Sequence, residues 1–415
     1  MALGQGTRRA DAVASGAVPG TAAFRSALAD ALPERPFRVV LWDGTDVPST
    51  EDNGGPTFTA RSPQALAHVL RAPSELGLGR AYVTGALDID DLDALVELAD
   101  GWDAPPIGPA TKARLALAAL RATGPVRPPH APPSELAPKG RFHSIARDSR
   151  AVRHHYDLPP DFFRLFLGPS MTYSCAIFSR GATTLEEAQE AKHELICRKL
   201  ELKRGQHVLD VGCGWGSFAI HAAQRHGVHV TGITLSPPQA ETATRRAAEA
   251  GVADRTDFRV ADYRELAGAS FDAVASIGMV EHVGGERMDE YAQRLRGALR
   301  PGAPLLNHGI ANLRQEDPRP GAFSSRYVFP DGAPQPLSRV LVAFERAGLQ
   351  IHHIEEFRED YAETLRHWAR LLDENVEEAV RLAGAERVRV WRLYLRAARN
   401  GFETGFTSVY QVRAS

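Results

Sequence analysis

Apolar and polar positions change their rhythm twice along the chain. From Phe37, FRVVLWDG reads as a strand running into an Asp-Gly turn, and TFTARSPQALAHVLRA reads as a second strand and a helix opening near Ser62-Pro63. GLGRAYVTGALDIDDLDALVELAD then gives a glycine-broken stretch and an amphipathic helix with Leu92, Leu95 and Leu98 on one side. Residues 35–103 are therefore expected to form a small α+β domain, preceded by a flexible N-terminus over residues 1–34. Prolines at 105, 106, 109, 125, 128, 129, 132, 133 and 138 bracket one expected helix, Thr111 to Arg121. They make residues 104–140 a Pro-rich linker.

Beyond residue 140 short apolar runs alternate with helical stretches: HVLDVG at 207–212, HVTGITL at 229–235, DFRVADY at 257–263, FDAVASIG at 271–278 and APLLNHGI at 303–310. That alternation predicts an α/β fold with a mostly parallel, doubly wound sheet and helices on both faces. LQIHHIEEF and FTSVYQVRA would complete seven strands, and residues 141–415 are expected to be the larger domain.

Composition narrows the classes without choosing among them. With 43% hydrophobic and 24% charged residues the chain is an ordinary globular protein, and 36 Gly with 28 Pro fall short of low complexity. A formal charge of −2 argues against binding nucleic acid through phosphate contacts. Cys175, Cys197 and Cys213 are too few for a disulfide framework and lack CxxC spacing, so a reducing cytoplasm is expected and no metal site is assigned. No signal-peptide core follows the first arginines, and no stretch approaches the ~18 apolar residues that cross a bilayer.

The chemistry concentrates at strand ends. Asp210-Val-Gly212-Cys-Gly214-Trp-Gly216 closes the first strand of the large sheet and opens the helix SFAIHAAQRHG, where bare backbone lets a ligand approach. The spacing is GxGxG, whereas a dinucleotide fingerprint needs GxGxxG with an acid about 20 residues on. The second strand ends instead in Thr234. GITLSPPQ at 232–239 caps the next helix with Ser236, and VADY at 260–263 ends the third strand, where Asp262 is either an acceptor for an adenine amine or a turn residue.

The strand-DxGxGxG-helix arrangement resembles the S-adenosylmethionine (SAM) loop of class I methyltransferases. More specifically, VRHHYDLPPDFFRLFLGPSMTYSCAIF at 152–178, the glycine loop, GITLSPPQ, MVEHVG at 279–284 and Tyr361 in DYAETLRHW together resemble the cyclopropane-fatty-acid synthase family, which includes mycolic acid cyclopropane synthases. The match runs in order from about Val152 onward, and the leading small domain resembles that of longer phospholipid-acting members. One departure is NHGI around His308, where many relatives read HTI.

The resemblance implies a class I SAM-methyltransferase sheet and a reaction in which the cis double bond of an unsaturated phospholipid acyl chain attacks the SAM methyl group. A bound bicarbonate then removes a proton so that a cyclopropane closes. It implies Cys175, Glu281, His308 and Tyr361 as catalytic residues around that bicarbonate, with the backbone of Ile310. It further implies Tyr173, Ser174, Asp210, Gly212, Gly214, Gly216, Thr234, Leu235, Gln239, Asp262 and Tyr263 around SAM, and Tyr156 closing the site. Such catalysis is chiefly positioning and water exclusion, with a base for one late proton transfer. A rival outcome of the same methylation is a hydride shift giving a methylene- or methyl-branched chain, and a rival of another class is a non-catalytic lipid- or SAM-binding protein.

An enzyme of this kind must draw its substrate from a bilayer, so a peripheral position on the inner face of the cytoplasmic membrane is expected. Homodimers through the smaller domain are an analogy with the family. Arg389, Arg392, Arg396 and Arg399 share a helix face that is either a docking face or simply solvated, and FFRLFLGPSM at 162–171 is either an acyl-tunnel lining or core.

Overall fold

A computed structural model of the chain describes residues 19–136 apart from 53 and 128, residues 147 and 150, and residues 158–415 apart from 267–269, 314–321, 330, 331 and 333. Two compact units make it up, Met1–Pro132 and Pro133–Ser415.

In the first unit four strands, β1 (Arg38–Val40), β2 (Asp46–Val47), β3 (Thr57–Ala60) and β4 (Leu87–Ile89), form a sheet in the order β2-β1-β3-β4. β1 and β3 are parallel, and the hairpin from β1 to β2 turns at Asp43-Gly44, where the Asp43 carboxylate accepts from the Thr45 amide at 3.0 Å. Five helices accompany it: α1 (Pro19–Ala31), α2 (Gln64–Arg71), α3 (Glu75–Val83), α4 (Leu92–Gly101) and α5 (Pro109–Thr123).

Two expectations need correction here. Residues 19–31 are a helix within the stretch expected to be flexible, and Phe24, Ala27, Leu28 and Ala31, spaced three and four apart, bury one face of it. They pack against α5, whose Ala118, Ala119 and Ala122 are also buried, so residues 109–123 belong to the core of this unit and not to a linker. The helix at 19–31 and the core role of the expected helix at 111–121 both escape a hydrophobicity reading because alanine supplies much of their contact faces.

α3 is the third surprise, since its glycines read as breakers. A Cβ built on Gly77 would lie 2.1 Å from the Ala72 carbonyl oxygen and 2.9 Å from that of His68, so the glycine is what lets α3 lie against the end of α2. Gly77→Ala is expected to push the helices apart and destabilise this unit by roughly 1–3 kcal/mol, measured as a lower urea midpoint.

In the second unit α6 (Pro160–Leu167) and α7 (Leu185–Lys199) precede β5 (His207–Val211), α8 (Ser217–His226), β6 (His229–Thr234), α9 (Pro237–Glu249), β7 (Thr256–Val260), β8 (Ala273–Ile277), α10 (Met288–Ala298) and β9 (Leu305–Asn312). α11 (Ala322–Tyr327), α12 (Leu337–Arg346), β10 (Ile351–Glu356), α13 (Arg358–Glu374), α14 (Val376–Ala383), α15 (Ala385–Glu403) and β11 (Thr407–Ala414) follow. The seven expected strands form one sheet in the order β10-β11-β9-β8-β5-β6-β7. β7, β6, β5, β8 and β9 pair in parallel, and β11 slots antiparallel between β9 and β10. This is the doubly wound α/β sheet.

Strand order reverses between β5 and β8, which opens a crevice beyond their carboxyl ends, the place where such sheets bind ligands. The other large feature is an aromatic cluster. Phe162, Phe163 and Phe166 are buried, with ring centroids 5.9, 5.4 and 5.4 Å from that of Trp391 on α15. FFRLFLGPSM is thus core, although Met171 at its end reaches the crevice. Among the described residues no helix is long and apolar enough to cross a membrane.

Candidate active site

The crevice is an open cleft of about 500 Å³ lined by the 171–174 segment, Lys192 and His193 on α7, Asp210, the glycine loop with Ser217 and Phe218, Gln239, and Ile277 with Gly278. Its floor is made by the loop after β5. Gly212, Gly214 and Gly216 take φ of 79°, 54° and 80°, and the amides of Gly212 and Cys213 both donate to the Ile233 carbonyl at 3.0 Å. A Cβ on Gly216 would stand 2.9 Å from Ala243 and from the Phe258 ring, so both conformation and space demand glycine there. Arg246 on α9 fastens the loop from outside, donating to the Trp215 carbonyl at 2.5 Å and to the Ser170 carbonyl at 2.7 Å.

The opposite wall is the extended 172–174 segment, held by α7 through residues that sequence reasoning missed. Gln189 donates to the Thr172 and Ser174 carbonyls at 3.3 and 3.0 Å, Lys192 Nζ donates to Ser174 Oγ at 2.7 Å, and His193 Nε2 lies 3.3 Å from Thr172 Oγ1. In LEEAQEAKHELICRK these polar residues occupy positions that the 3.6-residue period assigns to the buried face along with Leu185, Ala188, Leu195 and Ile196. A polar residue at a core position was the available signal.

Burial governs the charges. Desolvation pulls Lys192 down to about 7 against the attraction of Cys175 and Asp210, and pushes Asp210 up to about 7 against the attraction of Lys192. Asp210 Oδ2 is buried with no hydrogen-bond partner, a polar atom awaiting a ligand donor.

Of the other residues expected around SAM, Tyr173, Ser174, Gly212, Gly214 and Gln239 line the cleft, and Thr234 Oγ1 donates to Gln239 Oε1 at 2.7 Å. Leu235 is half-buried and follows β6 directly. Asp262 behaves first as a turn residue: it caps a short helical turn, and both its carboxylate oxygens accept from the Arg264 guanidinium, at 2.8 and 2.5 Å. Tyr263 packs edge-on against Tyr291 at 5.4 Å within the core beneath β8. Tyr156 lies outside the described residues.

Cys175, Glu281 and His308 are all buried; Cys175 and His308 both adjoin Phe357, and Glu281 adjoins Ile310, two positions after His308. Cys175 Sγ donates to the Phe357 carbonyl at 3.7 Å, and the His308 ring stacks 6.5 Å from that of Phe357. The Ile310 amide donates to the Glu281 carboxyl, and Gly278, which lines the cleft, donates its amide to the His308 carbonyl at 2.8 Å. Tyr361 begins the turn after Phe357 and packs on Phe402 at 4.5 Å and Trp368 at 6.1 Å, within the apolar cluster that also holds Cys175 and Ile310. None of the four catalytic candidates lines the cleft itself. Ser174 and Gly278 are its nearest points of contact with them.

Burial disfavours the charged form of each group there. Burial and the Asp360 charge hold the Cys175 thiol well above its usual range, burial drives His308 well below its own, and burial raises Glu281 to about 7 despite the amide of Ile310. The histidine's tautomer follows from its neighbours. Lys199 Nζ, paired with Glu355 at 2.6 Å, donates to Gln411 Oε1 at 2.7 Å. The Gln411 amide nitrogen therefore faces His308 Nδ1 at 3.2 Å and donates to it. The ring proton of neutral His308 then sits on Nε2, which like Glu281 Oε2 is buried with no partner. A protonated Glu281 and a His308 Nε2–H are two donors without partners, the complement of a small oxyanion, while the Cys175 thiol is turned to a backbone carbonyl.

The basic stripe on α15 is corrected too. Arg392 and Arg396 both pair with Asp373 on α13 at 2.6 Å and Arg396 is buried, so these two bind α15 to its neighbour and are part of neither a docking face nor a solvated one, while Arg399 pairs with Glu403 of its own helix at 3.3 Å.

A sequence profile of the family described as mycolic acid cyclopropane synthetase matches residues 143–412. A probable fatty acid methyltransferase of Mycobacterium tuberculosis is 38% identical over 92% of this chain and 91% of its own length. A tuberculostearic acid methyltransferase of the same organism is 31% identical over 94% and 91%. The crystal structure of a mycolic acid cyclopropane synthase complexed with SAH and CTAB is 32% identical, covers 64% of this chain and 97% of its own, and superposes with a TM-score of 0.61. This chain belongs to the mycolic acid cyclopropane synthetase family.

Two outcomes follow from the buried donors. Gln411→Glu puts an acceptor beside Nδ1, moves the ring proton there and strips the donor from Nε2; kcat is expected to fall by roughly 10–1000-fold with the Kd for SAM unchanged. Glu281 titrates near 4.5 unfolded and about 7 folded, so between those values the folded chain holds the extra proton and the stability from this site falls as pH rises. Glu281→Gln escapes that loss: its stability relative to wild type is expected to be level at pH 4 and to climb through neutrality by up to about 3 kcal/mol, read from urea midpoints without bicarbonate.

Proposed function

We propose that this protein is a SAM-dependent C-methyltransferase that acts on the cis double bond of unsaturated phospholipid acyl chains at the membrane surface, yielding a cyclopropane. A SAM-dependent lipid methyltransferase is what membership of the family supports; the chain position, product and base are our inference. The observation that carries it is the pair of orphaned buried atoms, Glu281 Oε2 and His308 Nε2, the first on a residue that accepts from the Ile310 amide and the second on a residue whose carbonyl accepts from Gly278 of the cleft.

The cleft suits SAM. The glycine loop offers bare backbone, and the partnerless Asp210 Oδ2 would accept from an ammonium group. When bound, SAM supplies an electrophilic methyl group. Transfer of that methyl to one alkene carbon leaves a cation on the other. Loss of a proton from the new methyl closes the ring, so the product is the alkene plus one CH2. Tyr173, Trp215 and Phe163 on the cleft side exclude water that would otherwise trap the cation.

Bicarbonate suits the donor set behind the cleft and would supply the base. Glu281 in its protonated form and His308 through Nε2–H would hold such an anion; Cys175, the Ile310 backbone and Tyr361 are assigned to the same group, the thiol and the Ile310 amide turning to it from their present partners, the Phe357 carbonyl and the Glu281 carboxyl. His308 stays neutral throughout because its pKa lies far below working pH, so it orients the base without competing for the proton.

A second outcome has specific support: the fatty acid and tuberculostearic acid methyltransferases align over both units, whereas the cyclopropane synthase structure covers 64% of the chain. In it, a hydride shift precedes proton loss and leaves a methylene branch, an isomer of the cyclopropane. The test is incubation with methyl-labelled SAM and vesicles of cis-unsaturated or saturated phospholipid. Label is expected in the unsaturated lipid alone, with cyclopropane ring protons in its NMR spectrum. Vinyl protons would establish the branched product, and equal labelling of saturated lipid would overturn the proposal.

A further inference from the structure

On the side of α7 that carries Cys197, a second cluster of ligating side chains forms with α8. One ligand atom from each of Cys197, His221 and His226 lies within 4.8 Å of the others. Glu194, one turn before Cys197 on α7, adds a fourth: its Oε2 is 3.0 Å from His226 Nε2 and 3.5 Å from His221 Nε2. We propose that Glu194, Cys197, His221 and His226 form a site for a divalent metal ion of borderline softness, best matched by Zn2+.

The chemistry of the donor set selects the ion. One thiolate, two imidazoles and one carboxylate are a four-ligand set that zinc takes tetrahedrally, and the two ligand pairs, Glu-x2-Cys on α7 and His-x4-His at the end of α8, have the short spacings of zinc sites. Bond lengths of about 2.0–2.3 Å place tetrahedral ligands roughly 3.3–3.8 Å apart, so the Glu194–His221 separation of 3.5 Å already fits, the Glu194–His226 separation of 3.0 Å must open slightly, and Cys197, whose sulfur lies within 4.8 Å of both histidines, must draw in by rotation of its side chain or theirs. Charge also balances, since a thiolate and a carboxylate offset a dication. Binding releases the Cys197 proton to solvent, and no oxidant or reductant is involved.

Access and burial fit as well. Cys197 is buried, while the side chains of His221, His226 and Glu194 are 12, 19 and 38% exposed, so an ion reaches the cluster from solvent and ends with its sulfur ligand in the core. Arg198 lies 3.9 Å from the other Glu194 oxygen, leaving Oε2 to the histidines. The CxxC criterion cannot find such a site, because its ligands are of three kinds and come from two helices.

Position gives the ion a purpose. α7 holds the 172–174 wall of the cleft through Gln189, Lys192 and His193, and α8 begins at the glycine loop. The His193 ring, which lines the cleft, lies 5.5 Å from His221. A bound metal ties together the two helices that carry opposite sides of the SAM site, independently of which lipid product forms.

The test uses the full-length protein stripped with a chelator and dialysed. Zn2+ titrated against a chromophoric chelator is expected to bind at one equivalent, and Co2+ is expected to give a near-ultraviolet thiolate-to-cobalt charge-transfer band. His226→Gln, at a part-exposed position, should weaken Zn2+ by roughly a hundred-fold or more, beyond the 10–100-fold typical of an outer-shell partner. Cys197→Ser should abolish the cobalt band, and His353→Gln on exposed β10 should change neither. Absence of stoichiometric Zn2+ binding overturns the proposal, as does wild-type affinity in His226→Gln.

Discussion

The interaction on which the site depends is the cost of keeping a charge where water cannot reach it. Lys192, Asp210, Glu281 and His308 are buried beside or behind one crevice: desolvation outweighs the mutual attraction of Lys192 and Asp210 and the amide that donates to Glu281, and at His308 it acts together with repulsion from Lys192 and Lys199. The outcome is a set of groups whose charged forms are all disfavoured, so that hydrogen bonding and shape weigh more than charge. The few polar atoms left without partners, Asp210 Oδ2, Glu281 Oε2 and His308 Nε2, mark where ligands complete the network.

The fold creates this dry region by stacking two kinds of support. On one side the reversal of strand order between β5 and β8 opens the crevice and presents the glycine loop. On the other, α6, α13 and α15 bring Phe162, Phe163, Phe166, Trp368 and Trp391 into a wall that adjoins Trp215 and Tyr173. The arginines of α15 serve that wall through Asp373. Phe357 joins the two halves, its carbonyl touching Cys175 and its ring touching His308.

The seven strands of the large sheet were legible because buried parallel strands read as short, near-continuous apolar runs with turn residues between them. The glycine loop and the TYSC and EHVG blocks were legible as local strings. Three things were not. α1, and the packing of the expected helix α5 into the core, rest on alanine faces with little contrast to read, and α3 carries a glycine whose function is close approach to α2. Lys192 and His193 resemble surface residues until α7 is seen packed on both faces. The third is the partnership of His308 with Gln411, 103 positions apart, and that of Cys197 with His221 and His226 on another helix, for which no local string exists.

β11 is the last of the seven strands in sequence, yet it takes a place inside the sheet, between β9 and β10. During synthesis the ribosome therefore releases His308 long before Gln411, and until the late strand threads into its gap the imidazole has nothing to settle which nitrogen bears hydrogen. Assembly order thus acts as a safety catch: a nascent chain can shape the crevice early, but the hydrogen on His308 is assigned to one nitrogen only when its sheet is closed.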